Sequence, residues 1–137
     1  MAQTLGATPA PAGAVPGTTQ TVILGGGFGG LAAANALRRA LPGAHAVTMI
    51  DPTRRFLVGA GKTWVMLGER KFEAVSADRA RLLEPGVALL AAEATAIDLA
   101  GRTVQTTAGS VRWDYLVIAL GATLRLDAVP GLDGAHT

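Results

Sequence analysis

Three glycines and one acid carry the chemistry that this sequence offers. Gly25, Gly27 and Gly30 form a Gly-x-Gly-x-x-Gly arrangement directly after the apolar run Val22 to Leu24, and Asp51 closes a second apolar run about 20 residues further on. Each glycine in such a turn has its own physical role. Gly25 permits a tight turn out of a strand. Gly27 presents no side chain, so a pyrophosphate can approach the backbone N–H groups at a helix start. Gly30 lets the helix pack closely on the strand. Asp51 stands where a carboxylate can accept hydrogen bonds from a ribose hydroxyl pair. Glycine makes up 18 of the 137 residues, so the motif alone is a weak signal and its context has to carry the reading.

That context is a strand–helix–strand unit. Val22 to Leu24 reads as a buried parallel strand, and Leu31, Ala34, Leu37 and Leu41 then fall on one helical face. Pro42 and Gly43 stop the helix, and Ala46 to Ile50 reads as the second strand. Pro52 ends its ladder and opens a loop to Arg55. Phe56 to Arg70 reads as a loop followed by a short helix or turn around Trp64, which either covers a flat ligand or plugs the edge of the core. Ser76 to Leu83 has helical spacing with Ser76 as N-cap, ended by Pro85 and Gly86. Val87 to Ala92 is a third parallel strand. Glu93 to Asp98, Arg102 to Thr107 and Val111 to Trp113, separated by turns at Gly101 and Gly109, form a small antiparallel meander. Leu116 to Leu120 is a fourth parallel strand that runs into Gly121, and residues 124–137 show no clear periodicity.

The expected fold is therefore α/β: a Rossmann-like parallel sheet with a GxGxxG turn and an antiparallel β-meander as the crossover before its fourth strand. A nicotinamide-binding unit would normally place a helix in that crossover. The expected organisation is a flexible leader over residues 1–19, rich in Ala, Pro, Gly and Thr, followed by one nucleotide-binding domain over 20–137.

Bulk properties narrow the function. Half of the residues are apolar, 16% are charged and the net charge is +2, a globular composition. Arg38 with Arg39, Arg54 with Arg55 and Arg70 with Lys71 form three basic pairs, too short as runs for a nucleic-acid partner. The absence of cysteine excludes disulfides, thiolate metal sites and a thiol relay within this sequence. No apolar run is long enough to span a membrane, and the first 19 residues lack the plan of a secretory signal, so the expectation is a cytoplasmic protein. His45 and His136 are isolated, and neither a general acid or base nor a metal site stands out.

Three segments together resemble the N-terminal FAD-binding region of the two-dinucleotide-binding-domain flavoproteins, the family that includes glutathione reductase. They are Val22 to Leu31 with Asp51, the meander beginning Glu93 to Asp98, and Trp113 to Ala122. The last is similar to the family's Ala-Thr-Gly motif, with Leu120 standing where that pattern has threonine. Phe56 followed by Trp64, Val65, Gly68 and Arg70 is similar to a segment of sulfide:quinone oxidoreductases and flavocytochrome c sulfide dehydrogenases, relatives of the type II NADH dehydrogenases. The proline usual before that tryptophan is not matched, and no Cys-x-x-x-x-Cys follows the second strand.

The resemblance implies FAD as cofactor, a small-molecule dinucleotide as binding partner, and the quinone-reducing or sulfide-oxidising branch of flavin-dependent oxidoreductases, whose members can be membrane-peripheral. It implies the pyrophosphate turn at Gly25, Gly27, Phe28, Gly29 and Gly30, the ribose acid at Asp51, adenine contact through the Ala94 backbone, and Gly121 and Trp64 on the cofactor side. Arg54 and Arg55 either approach phosphate, mark a 2′-phosphate preference for NADP, or belong to a solvated loop. Family members also carry a second nucleotide unit, a later Gly-Asp and a C-terminal domain. The expectation is that this sequence, ending at Thr137, holds only the first part, lacks catalytic cysteines, is incomplete as a catalyst, and self-associates or awaits further segments. Two alternatives stay open: an NAD(P)-binding module, and a non-catalytic remnant serving as an interaction domain.

Overall fold

The computed structural model describes residues 17–123 together with 125, 128 and 130; most of the expected leader, most of the tail and His136 lie outside the described residues. Four short apolar segments form the central sheet: β1 (Gln20–Leu24), β2 (Ala46–Ile50), β5 (Val87–Leu90) and β9 (Tyr115–Ile118). All pair in parallel, in the order β5-β2-β1-β9. This is the strand order of the first half of a doubly wound sheet. Successive connections run outward from β1 to β2 and β5, and the chain then returns to the other side of β1. The order therefore reverses between β1 and β9, and a crevice opens above the carboxyl ends of those two strands.

Side-chain alternation along the strands divides the interior in two. Ile23, Val47 and Met49 point to one face, where Leu31 and Ala34 of α1 (Phe28–Ala40) cover them and Leu37, Leu41 and Val117 pack around the rim. Val22, Leu24 and Ile50 point to the other face and meet Val104 and Val111 of the meander β6 (Ala94–Asp98), β7 (Thr103–Thr106) and β8 (Gly109–Arg112). The meander takes the place of a crossover helix because its strands supply the second apolar layer that a parallel sheet needs. The expected α/β fold with a β-meander crossover is the observed one.

Two elements differ from the sequence reading. Arg55 does not end a loop but starts β3 (Arg55–Leu57), which pairs antiparallel with β4 (Ser76–Asp78). The expected helix over Ser76 to Leu83 is instead β4 followed by a single 3-10 turn, Arg79–Leu82. A segment of eight residues gains little from helical spacing alone, and pairing with β3 wins. Ser76 caps nothing: its hydroxyl donates to the Phe72 carbonyl and accepts from Arg55, while Asp78 caps the turn by accepting the Ala80 N–H at 2.9 Å. Between the two strands lie α2 (Gly61–Met66), which carries Trp64, and the 3-10 turn Phe72–Val75.

The amino end of the sheet is tied by a reciprocal pair. The Gln20 N–H donates to Asp114 Oδ2 at 2.8 Å and the Asp114 N–H donates to the Gln20 carbonyl at 2.9 Å, while Arg112 holds Oδ1. The Gln20 N–H, followed by the Arg112 charge, holds the Asp114 carboxyl below its ordinary range. A depressed folded value means that this tie contributes stability above the ordinary aspartate range and loses it as pH falls through the lowered value. Asp114→Asn is accordingly expected to lower the melting temperature at neutral pH, with the difference closing in acid; parallel melts across pH check it. No helix among the described residues is long and apolar enough to cross a membrane.

Candidate functional site

The crevice above β1 and β9 is a cleft of about 540 Å³ lined by Gly25, Gly27, Phe28, Gly29, Asp51, Phe56, Leu57, Lys62, Arg79, Ala119, Leu120 and Gly121. Its floor is the glycine turn. The Gly25 N–H donates to the Ile50 carbonyl at 2.9 Å and the Ala119 N–H to the Leu24 carbonyl at 2.8 Å, so the ends of β1, β2 and β9 converge there. Gly25 has φ +94°, and a Cβ on it would collide with the Ala119 carbonyl. Only glycine suits that combination of handedness and crowding.

Gly27 is different in kind. As N-cap of α1 it has φ −74° and ψ −166°, extended backbone open to any residue. A Cβ there would meet nothing within 4 Å. The protein's own packing does not require glycine at this position, which is exposed and lines the cleft. The first backbone bond of α1 runs from the Leu31 N–H to the Gly27 carbonyl at 2.9 Å. The N–H groups of Phe28, Gly29 and Gly30 therefore precede the helical ladder, with the positive end of the helix dipole behind them. Gly30 lies inside the helix, where an added Cβ would overlap the Gly25 carbonyl oxygen.

Asp51 is the acid of the cleft and it is already engaged. Oδ2 accepts the Gly26 N–H at 2.7 Å, and Oδ1 accepts from the Thr53 N–H, the Thr53 hydroxyl and Arg79 Nη1. A carboxylate offers about four acceptor positions, two on each oxygen. Oδ1 is saturated, and Oδ2 keeps capacity for one further donor.

Arg79 is the residue that the sequence reading missed. Its side chain is 6% exposed against 13% for Asp51, and the two form an ion pair at 2.8 Å. Nε donates to the Gly26 carbonyl at 2.8 Å, and Nη1 also donates to the Thr53 carbonyl. One guanidinium thus joins the glycine turn to the loop after β2. It also explains why the second residue of the motif is glycine: a Cβ on Gly26 would fall on the Arg79 side chain, 3.0 Å from Cζ and closer still to Nε. The signal was an arginine inside an apparently helical segment, and a separation of 28 residues from Asp51 hides the pairing.

Other anticipated residues are spread more widely. Phe28 packs edge-to-face on Phe56, with ring centroids 5.0 Å apart, at one wall of the cleft. Gly121, with φ +76°, lines the far wall beside Ala119 and Leu120. Trp64 lies outside the cleft, in a neighbouring groove of about 380 Å³ with Phe56, Val58, Arg70 and Val75, and the Arg70 guanidinium sits 5.2 Å from its ring centroid. Phe56 is the shared wall. Ala94 begins β6 and packs on the meander-side core, not on the cleft. Arg54 reaches toward Asp78, and Arg55 binds Ser76 and stands over the Phe72 ring, so both are directed to the β3–β4 hairpin. His45 accepts or donates at 2.8 Å with the Thr21 hydroxyl and stacks with Tyr115, away from the cleft. Among the described residues no group of three His, Asp or Glu could hold a metal ion.

A crevice at the switch point of a parallel sheet, with a glycine turn, a helix start and an acid after the second strand, defines a dinucleotide-binding unit. Comparison with known proteins places it more narrowly. The family model for pyridine nucleotide-disulphide oxidoreductases matches residues 19–137, and the chain belongs to that family. It is 36% identical over 105 residues to a sulfide-quinone reductase of Aquifex aeolicus, covering 75% of this chain and 24% of that protein. It is 39% identical over 120 residues to an NADH dehydrogenase-like protein of Mycobacterium tuberculosis, covering 83% of this chain and 29% of that one. The solved sulfide:quinone oxidoreductase from Aquifex aeolicus superposes with a TM-score of 0.69 at 31% identity, over 78% of this chain and 25% of the other. NDH2 from Plasmodium falciparum shares the fold, with a TM-score of 0.71 at 21% identity, over 85% of this chain and 25% of that one. The chain thus spans about a quarter of the length of the curated relatives it matches.

Proposed function

We propose that residues 20–137 bind FAD through its ADP half and form the FAD-binding unit of a flavin-dependent oxidoreductase of the quinone-reducing or sulfide-oxidising branch. The observation that carries the reading is the space at Gly27: the position is open, its backbone tolerates any residue, and it faces the cleft beside three amides that precede the helical ladder. The residues present fit the cofactor. The N–H groups of Phe28, Gly29 and Gly30 would hold the pyrophosphate, and the remaining acceptor position on Asp51 Oδ2 would take one ribose hydroxyl. Phe28, Leu120 and Gly121 would line its path toward the flavin. The choice of FAD over a nicotinamide cofactor rests on the β-meander crossover, where a nicotinamide-binding unit would normally place a helix. The flavin, when bound, carries the electrons, and this chain's part is to hold it and orient it.

Titration of the purified chain with FAD, followed by flavin fluorescence, and with ADP as competitor tests the reading. Saturable FAD binding reversed by ADP is expected. Asp51→Asn should weaken both ligands by about 1–3 kcal/mol, the range for losing a charge-assisted hydrogen bond. FAD binding that ADP cannot displace, or no binding at all, would refute it.

A further inference from the structure

The Asp51–Arg79 pair raises a question that packing alone does not answer. A buried ion pair is weak support for stability, because desolvation of both charges offsets most of their attraction. Here the pair is also placed where charge matters. Asp51 Oδ2 sits 2.7 Å from the Gly26 nitrogen, one residue before the N-cap of α1 and next to the amides that face the cleft. An uncompensated carboxylate at that spot would oppose any anion on those amides, and the low exposure of the site would leave the repulsion poorly screened. Arg79 removes that conflict. It is fixed by Gly26, Asp51 and Thr53 on Nε and Nη1, while Nη2 has no protein acceptor among the described residues, and the side chain lines the cleft. Among the lining residues Asp51 is the one acid, set against Arg79 and Lys62, so Arg79 decides whether the lining is net positive or neutral.

Resting on the dinucleotide reading above, we propose that Arg79 is a specificity-determining residue: by clamping the Gly26 carbonyl to the Asp51 carboxylate and cancelling its charge, it makes the cleft select a phosphate-bearing nucleotide over the uncharged nucleoside. Lysine could carry the charge but not the two-sided clamp, because an ammonium lacks the planar fork that bonds Gly26 and Asp51 together.

The test compares ADP with adenosine on the full chain, by NMR titration, for wild type, Arg79→Met and Arg79→Lys, with thermal melts to confirm folding. Arg79→Met is expected to weaken ADP by about tenfold or more and adenosine by less than about threefold, collapsing the preference. Arg79→Lys is expected to keep most of that preference while lowering the affinity for both ligands. Should Arg79→Met fail to fold, Arg79→Gln, which removes the charge but keeps hydrogen-bonding groups, decides through the same ratio. An equal loss for ADP and adenosine in Arg79→Met, or in the neutral variant that stands in for it, would reduce Arg79 to a structural role and overturn the inference. A wild type that binds neither ligand would sink the dinucleotide reading, and this inference with it.

Discussion

Gly30→Ala is expected to destabilise the chain by about 1–3 kcal/mol, the range for forcing an atom into a filled site. Ordinarily, replacing glycine by alanine inside a helix gains roughly 0.5–1 kcal/mol. Here the gain is overwhelmed, because the new Cβ would overlap the Gly25 carbonyl oxygen and lie 3.0 Å from its carbon. Both are backbone atoms of a turn that is pinned on every side: Gly25 donates to Ile50, has a left-handed φ, and sits against Ala119. Relief must come from moving α1 off β1, which would open the contact of Leu31 and Ala34 with Ile23. Denaturant unfolding of wild type and variant measures the difference. Equal midpoints would mean that the helix does not approach the strand as closely as described.

Gly27→Val is expected to do the opposite: to leave the fold intact and remove the ligand. From the sequence, a β-branched residue here looks unfavourable both to the turn and to a pyrophosphate. The structure separates the two effects. The backbone at Gly27 is extended and a Cβ meets nothing within 4 Å, so valine should cost the unliganded protein little. The same methyl groups would stand in the cleft in front of the Phe28 and Gly29 amides. FAD and ADP affinity should fall about a hundredfold or more, roughly 3 kcal/mol at tenfold per 1.4 kcal/mol. Unfolding curves and ligand titrations on one preparation check both halves. Normal binding by the valine variant would place the phosphates elsewhere.

The contrast between Gly27 and Gly30 shows what a sequence can carry. The order of strand, glycines, helix, strand and acid has a short-range physical cause at each step, and β1, α1, β2 and the meander follow from it. The Ser76 to Leu83 segment does not, because its fate is decided by pairing between Ser76 and Leu57, 19 positions apart in the chain. Arg79 is hidden for the same reason. Its three partners Gly26, Asp51 and Thr53 lie in two other segments, and local spacing carries no mark of them. Trp64 belongs with these: its residue type invites a ligand, yet its place is decided by how α2 sits against the β3–β4 hairpin, which sets it in the neighbouring groove.

The central claim is that the cleft at the end of β1 holds the ADP half of a dinucleotide. Assigned amide spectra of the isotope-labelled chain, recorded during titration with ADP, test this most directly because they report where the ligand sits. The largest shifts are expected at Gly27, Phe28, Gly29 and Gly30, with smaller ones at Gly26, Asp51 and Gly121, saturating together with a single affinity. Shifts centred on Trp64, Val75 and Ala77 with the glycine turn unmoved, or no saturable shift anywhere, would contradict the account.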